Sequence, residues 1–275
     1  MKKIFLFILS HSVFVSLCAA ALVVQTSLLL QQPVNAFLPA FVFFATLGSY
    51  NLYWFLSKLS TANQFTVTGV FRQKLSLTMM LVAGIGAVIT FFKTELGILP
   101  VVIGVCCTLL YTVPFLLQYN AVIRRAGFAK TFLLAFTWMF VTGYFPLYKV
   151  VFPLNGVALL LLINRFSFIL LLCIIFDNRD IASDKVKGLH SLATDINAIA
   201  VRWIVIFSFV CFFATVYLLR ANGISLLQSV TLHITGLLTL ATYQYSLKKR
   251  GYTFYYFWVD GLMFLSALST TLASI

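Results

Sequence analysis

The chain has 275 residues, 62% of them hydrophobic and 9% charged, with a mean hydropathy of +1.04. That composition excludes a soluble globular domain, in which about 25% of residues are charged. The net charge of +13 lies in short basic clusters between apolar runs, a distribution that orients a membrane protein on anionic headgroups and argues against nucleic acid as a partner.

The length has room for about nine or ten membrane helices, and a polytopic bundle shares one interior, so residues 1–275 are expected to form a single all-α transmembrane domain. The N-terminus, MKKIFLFILSHSVFVSLCAA, imitates a signal peptide, but apolar sequence continues through Leu30. A retained first helix is the expectation. Apolar runs between polar or basic breaks predict nine spans, at roughly 4–30, 35–57, 75–92, 97–118, 129–148, 152–176, 199–219, 224–246 and 253–273. Pro33 and Pro153 fall near helix starts, where proline is tolerated. Pro100, Pro114 and Pro146 fall inside or near the ends of spans and are candidates for kinks. The five cysteines, Cys18, Cys106, Cys107, Cys173 and Cys211, have neither CxxC nor Cys/His spacing and read as small buried hydrophobes.

Orientation tests this segmentation. With the N-terminus in the cytoplasm, fifteen Lys and Arg residues fall on the inner side and three on the outer. A miscounted early span would scramble that bias. The expected setting is a bacterial inner membrane, with two longer inner loops at about 58–74 and 177–198.

The second of those loops holds three of the chain's six acidic residues within eight positions: Asp177, Asp180 and Asp184, in FDNRDIASDKVKG. Spacings of three and four put the carboxylates on one helix face in consecutive turns. Like charges so close raise one another's pKa unless a cation lies between them. Mg2+ takes one or two carboxylates and leaves positions for substrate phosphates. Solvated charges paired with Arg179, Lys185 and Lys187 are the plainer reading of the same residues.

The stretch Asp177, Arg179, Asp180, Asp184, Gly188 resembles the second aspartate-rich motif of the UbiA-type intramembrane prenyltransferases, D-x-R-D-x-x-x-D-x-x-x-G. Nine spans and a motif at the inner end of span six are similar too. The resemblance implies a Mg2+-dependent enzyme that moves an isoprenyl group from an isoprenyl diphosphate to a lipophilic acceptor, with the three aspartates catalytic and metal-binding. The family's first motif, N-x-x-x-D-x-x-x-D, matches here at Asn51, a candidate metal ligand, but its aspartate positions carry Phe55 and Leu59. For the diphosphate, the resemblance points to Arg72 and Lys74 before span three, to Arg124 and Lys130 after span four, and to Arg179 in the motif; Arg165, inside span six, is a further candidate by its position. Asn51 serves equally well as an interhelical hydrogen-bonding residue.

Two charged residues fall well inside predicted spans, away from their ends. Arg165 and Asp260 are costly there, about 2.5–3.5 kcal/mol each on insertion scales, so both should face the bundle interior. Arg165 contacts diphosphate or a structural partner; Asp260 orients the acceptor or pairs with Arg165 or another helix. Two functions stay open: the prenyltransferase, and a non-catalytic scaffold of the same architecture that lost its first metal site and binds an isoprenoid or lipid or serves assembly. A transporter would need repeats in matching halves, which the sequence lacks.

Overall fold

The computed structural model describes residues 2–59, 67–116, 127–148, 156–187, 192 and 196–274. Every element among them is helical. In chain order these are α1 (Lys2–Ser10), α2 (Val13–Leu29), α3 (Phe37–Leu59), α4 (Val67–Phe91) and α5 (Ile98–Leu116). Next, α6 begins as Gly127–Met139, passes through a π-helical turn at Phe140–Tyr144 and ends as Phe145–Leu147. Then come α7 (Gly156–Lys187), α8 (Ala198–Ala221) and α9 (Leu226–Ser246). Finally, α10 opens with a π-helical turn at Phe254–Val259 and continues as Asp260–Leu272.

All nine expected segments are therefore helical where described. Among the described residues, three helices are long and apolar enough to cross a membrane: Lys74–Phe91, Gly156–Ile181 and Ala198–Ala221. The bent pair Ile4–Ser10 and Val13–Leu29 makes a fourth. The chain is an integral membrane protein, built of the one open-ended element that satisfies its own backbone in hydrocarbon.

The first segment departs from a single helix over 4–30. It bends by 66° between α1 and α2, because Ser12 takes a left-handed φ of 62° that an α-helix cannot propagate. The Asn51 side chain on α3 steadies this elbow. Its Nδ2 donates to the His11 carbonyl (3.1 Å) and to the Leu47 carbonyl (2.9 Å).

Helix α2 packs on α3 and α10, α7 on α6 and α8, and α9 on α8 and α10, while α4 lies against α3. Lipid is as apolar as leucine, so burial alone drives this packing weakly and buried polar side chains fix partners. Gln25 Nε2 donates to the Ser266 carbonyl (3.0 Å), Ser266 Oγ (2.9 Å) and Thr270 Oγ1 (2.9 Å), joining α2 to α10. Asn164 Nδ2 donates to the Phe212 carbonyl (3.1 Å) and Thr215 Oγ1 (3.0 Å), joining α7 to α8. The cysteines follow expectation at Cys18 and Cys173, which are buried; Cys106 is instead exposed on the outer face of α5.

Pro146 explains the first π-helical turn. It lacks an N–H and crowds the carbonyl of residue i−4, which is Thr142. The freed Thr142 carbonyl accepts from Thr26 Oγ1 at 2.9 Å. Thr26 Oγ1 in turn accepts from Arg165 Nη2 (3.0 Å), which also donates to the Leu22 carbonyl (3.3 Å). One proline thus sets up a polar joint between α2, α6 and α7.

Candidate active site

The apolar run of α7 ends at Phe176, but the helix continues to Lys187. Its last three turns carry the acidic motif beyond the core. Asp177, Arg179 and Asp180 are all half-buried there. Thr131 Oγ1, near the start of α6, donates to Asp177 Oδ2 at 2.6 Å. Arg179 clasps its neighbour Asp180 with two bonds, Nε to Oδ1 and Nη2 to Oδ2, both 2.7 Å. The same guanidinium lies 5.0 Å from the Phe176 ring, 5.1 Å from Tyr255 and 5.0 Å from Tyr256. Aromatic faces on three sides hold the cation in place, and the forked pairing fixes the orientation of the Asp180 carboxylate.

Beside this acid face, a cavity of about 250 Å³ runs between α2, α3, α5 and α6. That is larger than the ~150 Å³ apolar void that takes up a benzene ring. Its walls are mostly apolar, with Phe41, Val101 and Phe145 toward one end and Tyr50, Tyr53 and Tyr111 toward the other. Leu134, Thr137, Trp138 and Val141 of α6 line it. Thr131 stands on the same face of α6, three residues before Leu134. The tyrosine end of the cavity therefore lies toward Asp177. Lys130 Nζ sits 5.2 Å above the Tyr111 ring, and Tyr53 lies 6.1 Å from Tyr111, ring to ring.

The candidate residues separate into groups. Asp177, Asp180, Arg179 and Lys130 come together at this end of the bundle. Lys74 is exposed, and no described contact joins it to the acid face. Arg165 does not reach this site: it lies fourteen residues before Arg179, roughly 21 Å along the helix at ~1.5 Å per residue, and serves the Thr26 joint. Nor does Arg165 pair with Asp260, one of the alternatives from the sequence. Asn51 spends its amide nitrogen on the elbow. The side chains of Arg72 and Asp184, and the whole of Arg124, lie outside the described residues.

Sequence reasoning missed Thr131, Tyr50, Tyr53, Tyr255 and Tyr256. The Tyr-Tyr pair preceding Asp260 was a signal, since an aromatic pair beside a buried acid suits a cation from another helix. The threonine gave none.

The donor set suits a hard divalent cation in a limited sense. Two carboxylates one helical turn apart are what Mg2+ takes when phosphate oxygens supply further ligands. Among the described residues no three His, Cys, Asp or Glu side chains converge as a metal cage. An ion here would therefore depend on the Asp184 side chain or on the substrate to complete its shell.

No protein-family model matches the sequence, and no curated protein matches it. In three dimensions the chain resembles a digeranylgeranylglyceryl phosphate synthase in membranes. The TM-score is 0.62 at 13% identity, over 100% of this chain and 99% of the synthase. The two chains share a fold. The all-helical bundle expected from the spacing of apolar runs is the one found.

Proposed function

We propose that this protein is an intramembrane prenyltransferase that moves an isoprenyl group from an isoprenyl diphosphate to a lipophilic acceptor, with Mg2+ held by Asp177, Asp180 and Asp184. The observation that carries this reading is one juxtaposition: carboxylates and cations of α6 and α7 at the polar end of an apolar cavity. The fold it shares with a membrane synthase of an isoprenoid lipid supports it. The fifteen-to-three distribution of basic residues supports a cytoplasmic N-terminus and acid face, in a bacterial inner membrane.

The cavity takes the isoprenyl chain, and the acid face takes the diphosphate. Mg2+, when bound, neutralises the leaving diphosphate. Lys130 and Arg179 stand beside it as fixed cations, already oriented by aromatic rings, so little reorganisation is needed as charge develops. Thr131 and Arg179 hold the two carboxylates in place. The apolar walls keep water from the carbon that becomes cationic, and the faces of Tyr50, Tyr53, Tyr111 and Trp138 are close enough to the polar end to stabilise it.

The test is binding of labelled farnesyl diphosphate to purified protein, with and without Mg2+, in wild type, Asp180→Ala and Asp184→Ala. Binding should need Mg2+ and fall at least about tenfold in each variant, equal to ~1.4 kcal/mol. Binding indifferent to metal and to both substitutions would overturn the reading.

Phe55, half-buried where the family's first motif has an acid, favours a second reading. In it the scaffold binds an isoprenoid diphosphate without turning it over. Mg2+-dependent binding without product from any lipophilic acceptor would select it.

A further inference from the structure

The joint between α9 and α10 carries charge that the proposed reaction does not use. Residues 247–251 read Leu-Lys-Lys-Arg-Gly, and the chain has no acidic residue between Asp195 and Asp260. Lys248 and Lys249 are exposed, and among the described residues neither makes an ion pair. Arg250 is held down on α9. Its Nε donates to the Tyr245 carbonyl at 2.9 Å, and its guanidinium carbon lies 3.3 Å from the centre of the Tyr245 ring. That carbonyl belongs to the last turn of α9, where a cation is favourable. Closing the helix end thus accounts for Nε. Among the described residues the two Nη groups have no hydrogen-bond partner.

A run of cations is most often a solvated surface, so the surroundings decide. Exposed aromatic rings flank this one: Tyr245 (55% exposed), Tyr252 (45%) and Trp258 (49%). Trp258 Nε1 donates to Thr242 Oγ1 at 3.0 Å, which fixes the ring across α9 and α10. Farther along the same helices the exposed side chains are apolar: Leu237 on α9, and Phe264, Leu265 and Leu268 on α10. Trp and Tyr settle at the level of lipid headgroups, between hydrocarbon and water. These rings therefore mark the headgroup layer, and the three cations stand at its depth. Tyr252 stacks on Tyr256 (4.3 Å, 27° between planes), and Tyr256 is one of the rings around Arg179. The joint lies at the same end of the bundle as the acid face, separated from it by two rings.

We infer that the α9–α10 joint docks the phosphate of an anionic phospholipid. The Arg250 Nη groups and the Lys248 and Lys249 ammonium groups donate to phosphate oxygens, a pairing that an immobilised guanidinium fork favours. Tyr245, Tyr252 and Trp258 lie along the glycerol and the upper acyl chains. The inference does not rest on the prenyl-transfer reading. A zwitterionic headgroup fits less well, because its ammonium brings a further positive charge to a joint without an acid. A soluble acidic protein fits less well, because the flanking rings merge with surface that faces hydrocarbon.

The experiment titrates the delipidated full chain in neutral detergent with dioctanoyl phosphatidylglycerol or dioctanoyl phosphatidylcholine and reads binding by native mass spectrometry. Wild type should bind the glycerol lipid at least about tenfold more tightly. Arg250→Gln should weaken that binding by about fivefold, the weight of one cation near an anionic surface. Lys248→Gln/Lys249→Gln/Arg250→Gln should abolish the preference. Lys93→Gln, which removes one cation beyond the far end of α4, should leave it unchanged. Equal binding of the two lipids to wild type overturns the inference, whether or not the variants fold. A preference that survives in the triple variant, or an equal loss in Lys93→Gln, overturns it as well, since net charge rather than a site would then be at work. Displacement of the bound lipid by equimolar inorganic phosphate would assign the joint to free phosphate, and tighter binding of a hexaglutamate peptide would assign it to an acidic protein; either result overturns lipid docking.

Discussion

The most consequential single contact is the 2.6 Å bond from Thr131 to Asp177. It crosses from α6 to α7 and sets the Asp177 carboxylate relative to the cavity-lining face of α6. A hydrogen bond to a charged group contributes about 1.5–3 kcal/mol. Thr131→Val keeps the shape and removes the donor, so it should weaken Mg2+-dependent farnesyl diphosphate binding by roughly tenfold or more. Thermal stability should hardly change, because the Asp177 carboxylate is half-buried and water can replace the lost donor. The measurement is a binding isotherm beside a melting curve. Asp177 and Asp180 were legible in the sequence because acid is so scarce in this chain that eight positions holding half of it stand out. Thr131 was not legible. Threonine is common in membrane helices, and its partner is 46 positions away.

At the scale of elements, the helices were predictable and their irregularities only partly so. Pro146 announced a disturbance in α6, but the form it took, a π-helical turn whose freed carbonyl is taken by Thr26, depended on α2 lying alongside. The joint carries the buried Arg165 as well. Thr26→Val removes both a donor to Thr142 and an acceptor for Arg165, leaving a charged group short of partners in the bundle interior. A loss of about 2–4 kcal/mol is expected, read as lower resistance to denaturant in detergent micelles. Thr26→Ser keeps the hydroxyl and should recover most of it. The elbow between α1 and α2 had no comparable sequence signal. Ser12 is an ordinary residue for a membrane helix, and its left-handed backbone is held by Asn51 of a neighbouring helix.

For the whole molecule, the arrangement that matters is a long apolar cavity with its charged groups gathered at one end. Gly104 lines it on α5, and a Cβ there would meet the Phe145 ring at 3.3 Å. Gly104→Leu should therefore shorten the cavity. Geranylgeranyl diphosphate should lose affinity by at least tenfold, given about 0.8 kcal/mol for each methylene denied burial. Geranyl diphosphate should lose little. Competition of the two donors in wild type and variant checks this, and an equal loss for both would mean that the chain does not occupy this cavity.

Taken alone, the sequence determined that the chain is a membrane-embedded helical bundle, where its helices lie, and which acids are candidates for chemistry. These follow from hydropathy and charge, properties that act along the chain or between residues a turn apart. Tertiary structure decided the rest: that Arg165 serves a joint and Asp260 does not pair with it, that Asn51 holds an elbow, and that tyrosines from α3, α5 and α10 surround the acid end. The physical reason is that in lipid the hydrophobic effect does little to choose among helix pairings. Interhelical hydrogen bonds and ring contacts choose them, and those depend on helices brought together from distant parts of the chain.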